Sequence, residues 1–155
     1  MTDHPTLNAS VDGGSRGNPG KAGYGVHVTS ESGDLVAEVY GFLGVATNNV
    51  AEYAALLAAL EFALEAGARS LQVRSDSQLM VRQIQGRYKV KNAGLQPLFR
   101  RARQLIGGLD RFHIEHVPRE ENQEADALAN RAMDEEGDSG HFSRQRILGE
   151  KGTLF

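Results

Sequence analysis

VDGGSRGNPGKAGYG, residues 11–25, is the stretch on which the fold turns. Before it, Leu7, Ala9 and Val11 alternate with Asn8, Ser10 and Asp12, the period of a half-buried strand. After its glycines, Tyr24–Thr29 and Leu35–Leu43 read as two further strands, and Gly33 and Asp34 mark the turn between them. A phosphate-cradling P-loop is excluded. The stretch runs from strand to strand with no helix to follow, and it lacks the closing lysine-serine pair. The glycines instead suit close approach and turning, with Asn18-Pro19-Gly20 carrying the chain into the second strand. Three consecutive strands with short links make an antiparallel meander.

Beyond the meander the period changes. Tyr53, Leu56, Leu57, Leu60 and Leu64 follow helical spacing across Val50–Ala66, and Gly67 ends that run. Ser70–Ser75 alternates again as a fourth strand, and Ser77–Gln85 forms a short helix stopped by Gly86. Leu95–Ile106 is a helix with Pro97 in its first turn. A fifth strand holds Phe112, Ile114 and His116 and closes at Pro118; a last helix runs from Glu121 to Glu135. This order predicts an α/β fold, a mixed sheet with helices packed on it. Residues 1–136 read as one domain, and residues 137–155 as a linker, GDSG at 137–140, and a C-terminal tail of uncertain order.

Composition narrows the function classes. The chain has 155 residues, enough to bury a sizeable core, with 40% hydrophobic and 24% charged residues. It contains no cysteine, which excludes disulfides, thiolate metal sites and a cysteine nucleophile. The start, MTDHPTLNAS, lacks the basic-then-apolar pattern of a secretory signal. The longest apolar run, Tyr53–Leu60, is far short of a membrane span. The expectation is a cytoplasmic monomer with no membrane partner. Net charge is −3, yet Arg82, Arg87, Lys89, Lys91, Arg100, Arg101 and Arg103 follow one another with no acid among them, while acids gather in Glu115–Asp138. That basic run is either a solvated helix face or a surface for a polyanion.

Four acids stand where chemistry is expected. Asp12 and Asp76 fall at the C-terminal ends of the first and fourth strands, beyond which ligands bind in sheets with helical crossovers. Glu52, with Leu56 and Leu60 on its own face, borders the buried stripe of the long helix. Asp126, with Ala129 and Met133, borders an apolar face as well. Carboxylates so placed need a positive neighbour, and a set of oxygens suits a hard cation such as Mg²⁺. Each also has a plainer role. Asp12 suits a turn, Glu52 a capping box with Asn49, Asp76 the cap of the helix at Ser77, and Asp126 a helix dipole. Spacing alone leaves both sets of readings open.

Four blocks bring in a further warrant: DGGSRGNPG at Asp12–Gly20, TNNVAEYAALLAAL at Thr47–Leu60, SDSQLMVRQI at Ser75–Ile84 and NQEADALAN at Asn122–Asn130. In this order and spacing they resemble type 1 ribonuclease H, over roughly Leu7–Met133. The resemblance implies a ribonuclease-H-like fold, a five-stranded mixed sheet whose first three strands are antiparallel, flanked by helices. It implies that Asp12, Glu52, Asp76 and Asp126 are metal ligands and catalytic residues for two Mg²⁺ ions, with Mn²⁺ as a substitute. It also implies endonucleolytic hydrolysis of the RNA strand of an RNA–DNA hybrid, leaving 3′-hydroxyl and 5′-phosphate ends. Backbone at Gly13 and Gly14, with Asn18, Asn49 and Gln78, would meet the hybrid's minor groove. Thr47 and Asn48 would hold the DNA strand.

Two departures from the family are visible. Many members carry a basic protrusion that is missing here, since QGRYKVKNAGLQPLF leads from Gly86 to the next helix with few residues. The basic cluster then substitutes in part, which implies weak, steeply salt-dependent hybrid affinity. The loop histidine of relatives also has no clear counterpart, because His116 reads as strand; Arg119 is the preferred helper at the scissile phosphate. The alternative function is a hybrid or double-stranded nucleic-acid-binding module of the same fold with little turnover. A resolvase- or integrase-like transferase fits the NNVAEY and SDSQ blocks less well.

Overall fold

The computed structural model describes residues 5–149. Five strands, β1 (Thr6–Gly17), β2 (Gly20–Ser30), β3 (Leu35–Ala46), β4 (Ser70–Ser75) and β5 (Arg111–His116), form one sheet in the order β3-β2-β1-β4-β5. The first three are antiparallel neighbours, and β4 and β5 run parallel to β1. The helices are α1 (Asn48–Glu65), α2 (Gln78–Ile84), α3 (Gln96–Ile106), α4 (Gln123–Glu135) and a short α5 (Arg144–Leu148). The expected mixed α/β sheet is present in the expected strand directions. No helix among the described residues is long and apolar enough to cross a membrane.

The glycine-rich stretch differs from its reading as a loop between strands. It is itself the far half of a long hairpin, paired Gly13 with Tyr24, Gly14 with Gly23, Ser15 with Ala22 and Arg16 with Lys21. The chain turns at Asn18-Pro19, whose peptide is cis. Asp12 is therefore mid-strand with respect to β2. The parallel ladder with β4 ends one residue earlier, at Val11 and Ser75, so Asp12 and Asp76 leave that seam together.

Missing side chains decide how near the helices come. A Cβ on Gly13 would lie 2.1 Å from the carbonyl oxygen of Ala51 in α1. A Cβ on Gly25 would lie 2.4 Å from the carbonyl oxygen of Ala125 in α4. Neighbouring residues of a strand point to opposite faces, and Gly14 meets Met133 of α4 where Gly13 meets α1. The two helices thus clamp the hairpin from opposite sides. The alanines of YAALLAAL serve the same approach, since Ala54, Ala55, Ala58 and Ala59 are all buried between α1 and its neighbours, as is Ala51 just before them.

Leu7, Ala9 and Val11 are buried beneath α1, as their alternation requires. Two helices begin at residues other than the spacing predicts. Thr47 caps α1 by accepting the Val50 N–H, so the helix begins earlier than Val50. A 3-10 turn at Arg119–Glu121 precedes α4, which starts at Gln123 and not at Glu121. Residues 137–149 lie across α1 and β3. Ser139 exchanges hydrogen bonds with the Tyr40 backbone, and Phe142, Ile147 and Leu148 are buried. Glu61 of α1 sits between Arg101 and Arg146. The rest of the tail, residues 150–155, lies outside the described residues.

Replacing Gly25 by alanine forces its methyl group into the backbone of α4. Urea unfolding is expected to report a loss of about 3 kcal/mol, the upper end for overpacking. Gly137→Ala, whose methyl meets nothing closer than 3.7 Å, should stay within about 0.5 kcal/mol of the parent.

Candidate active site

A cleft of about 440 Å³ opens at the end of the β1–β4 seam, lined by Asp12, Glu52, Asp76 and Asp126 and by Arg16 and Arg119. Each acid arrives from a different element: Asp12 from β1, Glu52 from the first turns of α1, Asp76 from the turn after β4, Asp126 from the first turn of α4. Carboxylate oxygens of Asp12, Glu52 and Asp76 all lie within 4.8 Å of one another. Asp126 is close enough to Asp12 to act on its ionisation directly.

The capping roles open to Asp76 and Glu52 are not the ones they fill, while Asp126 does stand in the first turn of α4. Ser77 caps α2 through its own hydroxyl, leaving Asp76 out of that duty. Glu52 does not complete a capping box with Asn49; its Oε1 accepts the Gly13 N–H at 2.9 Å, across the contact that the absent Cβ allows. Asn122, fully buried, donates from Nδ2 to the Val11 carbonyl oxygen at 2.9 Å, and its own carbonyl accepts the Asp126 N–H. This ties the start of α4 to the residue before Asp12.

Crowding shows in the ionisation of the cluster. Asp12 is 8% exposed. Burial, then the charges of Asp76 and Asp126, push its pKa up to about 8. Glu52 is raised well above the usual carboxylate range, by burial first and then by Asp12 and Asp76, with the Gly13 N–H opposing. Like charges held this close without a compensating cation disfavour ionisation. The donor set, all carboxylate oxygen and close enough to share a ligand, fits a hard divalent cation.

Of the residues expected at the substrate surface, Gly13, Gly14 and Asn48 line this cleft and Asn18, Thr47 and Asn49 a neighbouring hollow. Ser15 N–H donates to Asn48 Oδ1 at 2.8 Å, and Asn48 N–H donates to Asn18 Oδ1 at 3.0 Å. That chain of bonds links the hairpin tip to the start of α1. Asn18, Thr47 and Asn49 line the neighbouring hollow with Asn92, Gly94 and Leu95. Gln78 is exposed at the start of α2. His116 is exposed at the end of β5, while Arg119 is among the residues lining the acidic cleft.

The α2–α3 connection is short and holds no helix. Its basic run divides in two. Arg82 donates to Tyr88 Oη and lies over the Tyr88 ring, Arg103 donates to the Ile84 carbonyl, and Arg101 joins Glu61 and the Ile147 carbonyl. Arg87, Lys89, Lys91 and Arg100 remain exposed. Two cleft residues, Arg16 and Asn130, escaped the sequence reading. The only signal for Arg16 was a charge inside a run of glycines.

Comparison with known proteins agrees with this geometry. A family model described as "Reverse transcriptase-like" matches residues 10–132. Ribonuclease HI of Halobacterium salinarum is 46% identical over 129 residues, covering 83% of this chain and 65% of that protein. A solved RNase H1 structure from the same organism superposes with a TM-score of 0.81 at 46% identity, over 84% of this chain and 98% of that one. Bifunctional protein Rv2228c of Mycobacterium tuberculosis is 49% identical over 125 residues, 80% of this chain and 34% of that protein. LC11-RNase H1, solved in complex with RNA/DNA hybrid, gives a TM-score of 0.80 at 41% identity, over 84% of this chain and 98% of that one. The chain thus spans about two thirds of the length of the first curated relative and about a third of the second.

The raised pKa of Asp12 sets a pH dependence. Between the ordinary value of 3.8 and about 8, the folded chain holds a proton that the unfolded chain has released. Stability without metal must therefore fall as pH rises through that window. In chelator, the midpoint of thermal unfolding is expected to drop from pH 5 to pH 8. Added Mg²⁺ should restore it at pH 8 and do little at pH 5. Asp12→Asn should flatten the pH slope and raise the metal-free midpoint at pH 8.

Proposed function

The chain belongs to the type 1 ribonuclease H family, and from that premise we propose that it hydrolyses the RNA strand of RNA–DNA hybrids. The product ends are a 3′-hydroxyl and a 5′-phosphate. The observation that carries the reading is the meeting of Asp12, Glu52 and Asp76 within 4.8 Å, beside Asp126, in one open cleft. A binding module without turnover would have no use for four mutually repelling carboxylates, which weaken the metal-free fold.

Asp12, central among the four, would hold two divalent ions together with Glu52, Asp76 and Asp126. Mg²⁺ is the assigned ion and Mn²⁺ its substitute. Bound there, the two ions would supply an acidified water for in-line attack and neutralise charge on the departing 3′ oxygen. The chain's own part is positioning. Glu52 is held by the Gly13 N–H, so its free oxygen is aimed and its rotamer fixed. Arg119 brings a permanent cation to the cleft wall, suited to a phosphate oxygen as negative charge accumulates there.

Recognition needs a reader of the 2′-hydroxyl, the group that separates RNA from DNA. The backbone at Gly13 and Gly14, which lines the cleft, suits that contact, with Asn18, Asn49 and Gln78 as its partners in it. Thr47 accepts the Val50 N–H and keeps its hydroxyl proton to donate to a phosphate of the DNA strand. Asn48 uses its oxygen on Ser15 and keeps its amide hydrogens for the same strand.

The test is cleavage of an end-labelled RNA–DNA hybrid beside duplex RNA and duplex DNA, with Mg²⁺, Mn²⁺ and EDTA. Hybrid alone should be cut, only with metal, leaving 5′-phosphate ends. Equal cutting of all three duplexes, or cutting in EDTA, would remove the reading. Asp12→Asn should lower turnover by at least about a hundredfold while the protein stays folded. Arg119→Ala should lower it about tenfold, with His116→Ala mild; the reverse pattern would transfer that role to His116.

A further inference from the structure

Arg16 is one of the two basic side chains lining the acidic cleft among the described residues. It projects from the far half of the β1–β2 hairpin, whereas Arg119 follows β5 at the other side of the seam. Across the β1–β4 seam the cleft wall thus has Asp12 and Arg16 on β1, then Asp76 just after β4 and Arg119 beyond β5. We propose that Arg16 binds a phosphate of the RNA strand next to the scissile one, so that the two arginines flank the reacting phosphodiester. The inference rests on the ribonuclease reading above.

The guanidinium is held in place from one side only. Nη1 pairs with Asp134 at 2.7 Å, and Nη2 donates to Asn130 Oδ1 at 3.1 Å; both partners belong to α4. Asn130 in turn donates from Nδ2 to the carbonyl oxygen of Asp126 at 3.0 Å. The arginine is thus fixed relative to the turn of α4 that delivers a cluster carboxylate. Arg16 and Asp134 are 47% and 66% exposed, so their pairing adds little to stability. Docking of the hairpin on α4 has a second tie of its own, Lys21 to Glu136 at 2.6 Å. A guanidinium has five donors, and two of Arg16's reach α4, which leaves the rest for a phosphate.

The electrostatic need is plain. A polyanion entering a cleft lined by four acids meets repulsion before any metal contact is complete. A cation at each side of the cluster offsets it and sets where the backbone crosses. Arg119 lines the cleft with the four acids and is expected to act on turnover. Arg16, carried on the hairpin and braced by α4, is expected to act on binding. Asp134 partly neutralises it in the free protein, so a phosphate competes with an exposed carboxylate.

Steady-state cleavage of the hybrid over a range of salt concentrations separates these roles. Arg16→Ala should raise KM about tenfold, leave kcat within about twofold, and lower the salt slope of kcat/KM by about one. Arg16→Lys should recover part of the loss, since charge returns without the fork. Asp134→Asn is the discriminating variant. If Arg16 serves as a phosphate ligand, freeing it should keep KM unchanged or lower it. If Arg16 is only a strap to α4, Asp134→Asn should raise KM as Arg16→Ala does. That result, or a parental KM and salt slope in Arg16→Ala, overturns the proposal. A parent protein that cuts no hybrid at all removes the ribonuclease reading instead, and this inference with it.

Discussion

Everything in this molecule depends on two helices touching a strand pair where side chains are missing. The backbone of α1 comes against Gly13, and that of α4 against Gly25, at distances a single methyl group would forbid. Because α1 and α4 lie on opposite faces, their N-terminal turns reach the same sheet end from two sides. Glu52 and Asp126 ride on those turns. The seam between β1 and β4 opens at the same place and releases Asp12 and Asp76. Four acids meet because backbone meets backbone.

That meeting is unfavourable by itself. Burial and mutual repulsion raise the pKa values of Asp12 and Glu52 above the ordinary carboxylate range. Contacts around the cluster hold it in place. Gly13 holds Glu52, Asn122 ties α4 to Val11, and the core beneath, from Leu7 through Leu57 to Leu71, is closed to water. On the proposed reading, a cation that neutralises the cluster would add to stability and complete the chemistry at once.

Legibility followed the range of the interaction. The alternation of Leu7, Ala9 and Val11, the helical spacing of Leu56, Leu57 and Leu60, and the turn at Gly33 are local effects, and each marked its element correctly. The hairpin's true length was hidden, since Gly13, Gly14 and Gly17 carry no side chain from which a period can be read. Glu52 looked equally suited to a capping box; only its bond to Gly13, 39 residues away, decides against that. Arg101 and Arg103 looked like part of a basic face, yet they turn to Glu61 and the Ile84 carbonyl. Residues 141–149 read as a tail of uncertain order, and packing of Phe142, Ile147 and Leu148 against α1 and β3 carries them into the core.

The sequence alone determined which elements form and which residue types are on offer: strands by alternation, helices by the 3.6-residue period, an oxygen-only donor set by the absence of cysteine. Through the order of its four blocks it also pointed to the family. Tertiary structure decided which of those groups meet. The convergence of Asp12, Glu52 and Asp76, the division of the basic residues into internal ties and free cations, and the aim of Arg16 all depend on contacts between distant segments. Such contacts follow from shape and excluded volume, above all from what is missing at Gly13 and Gly25, and no local period encodes them.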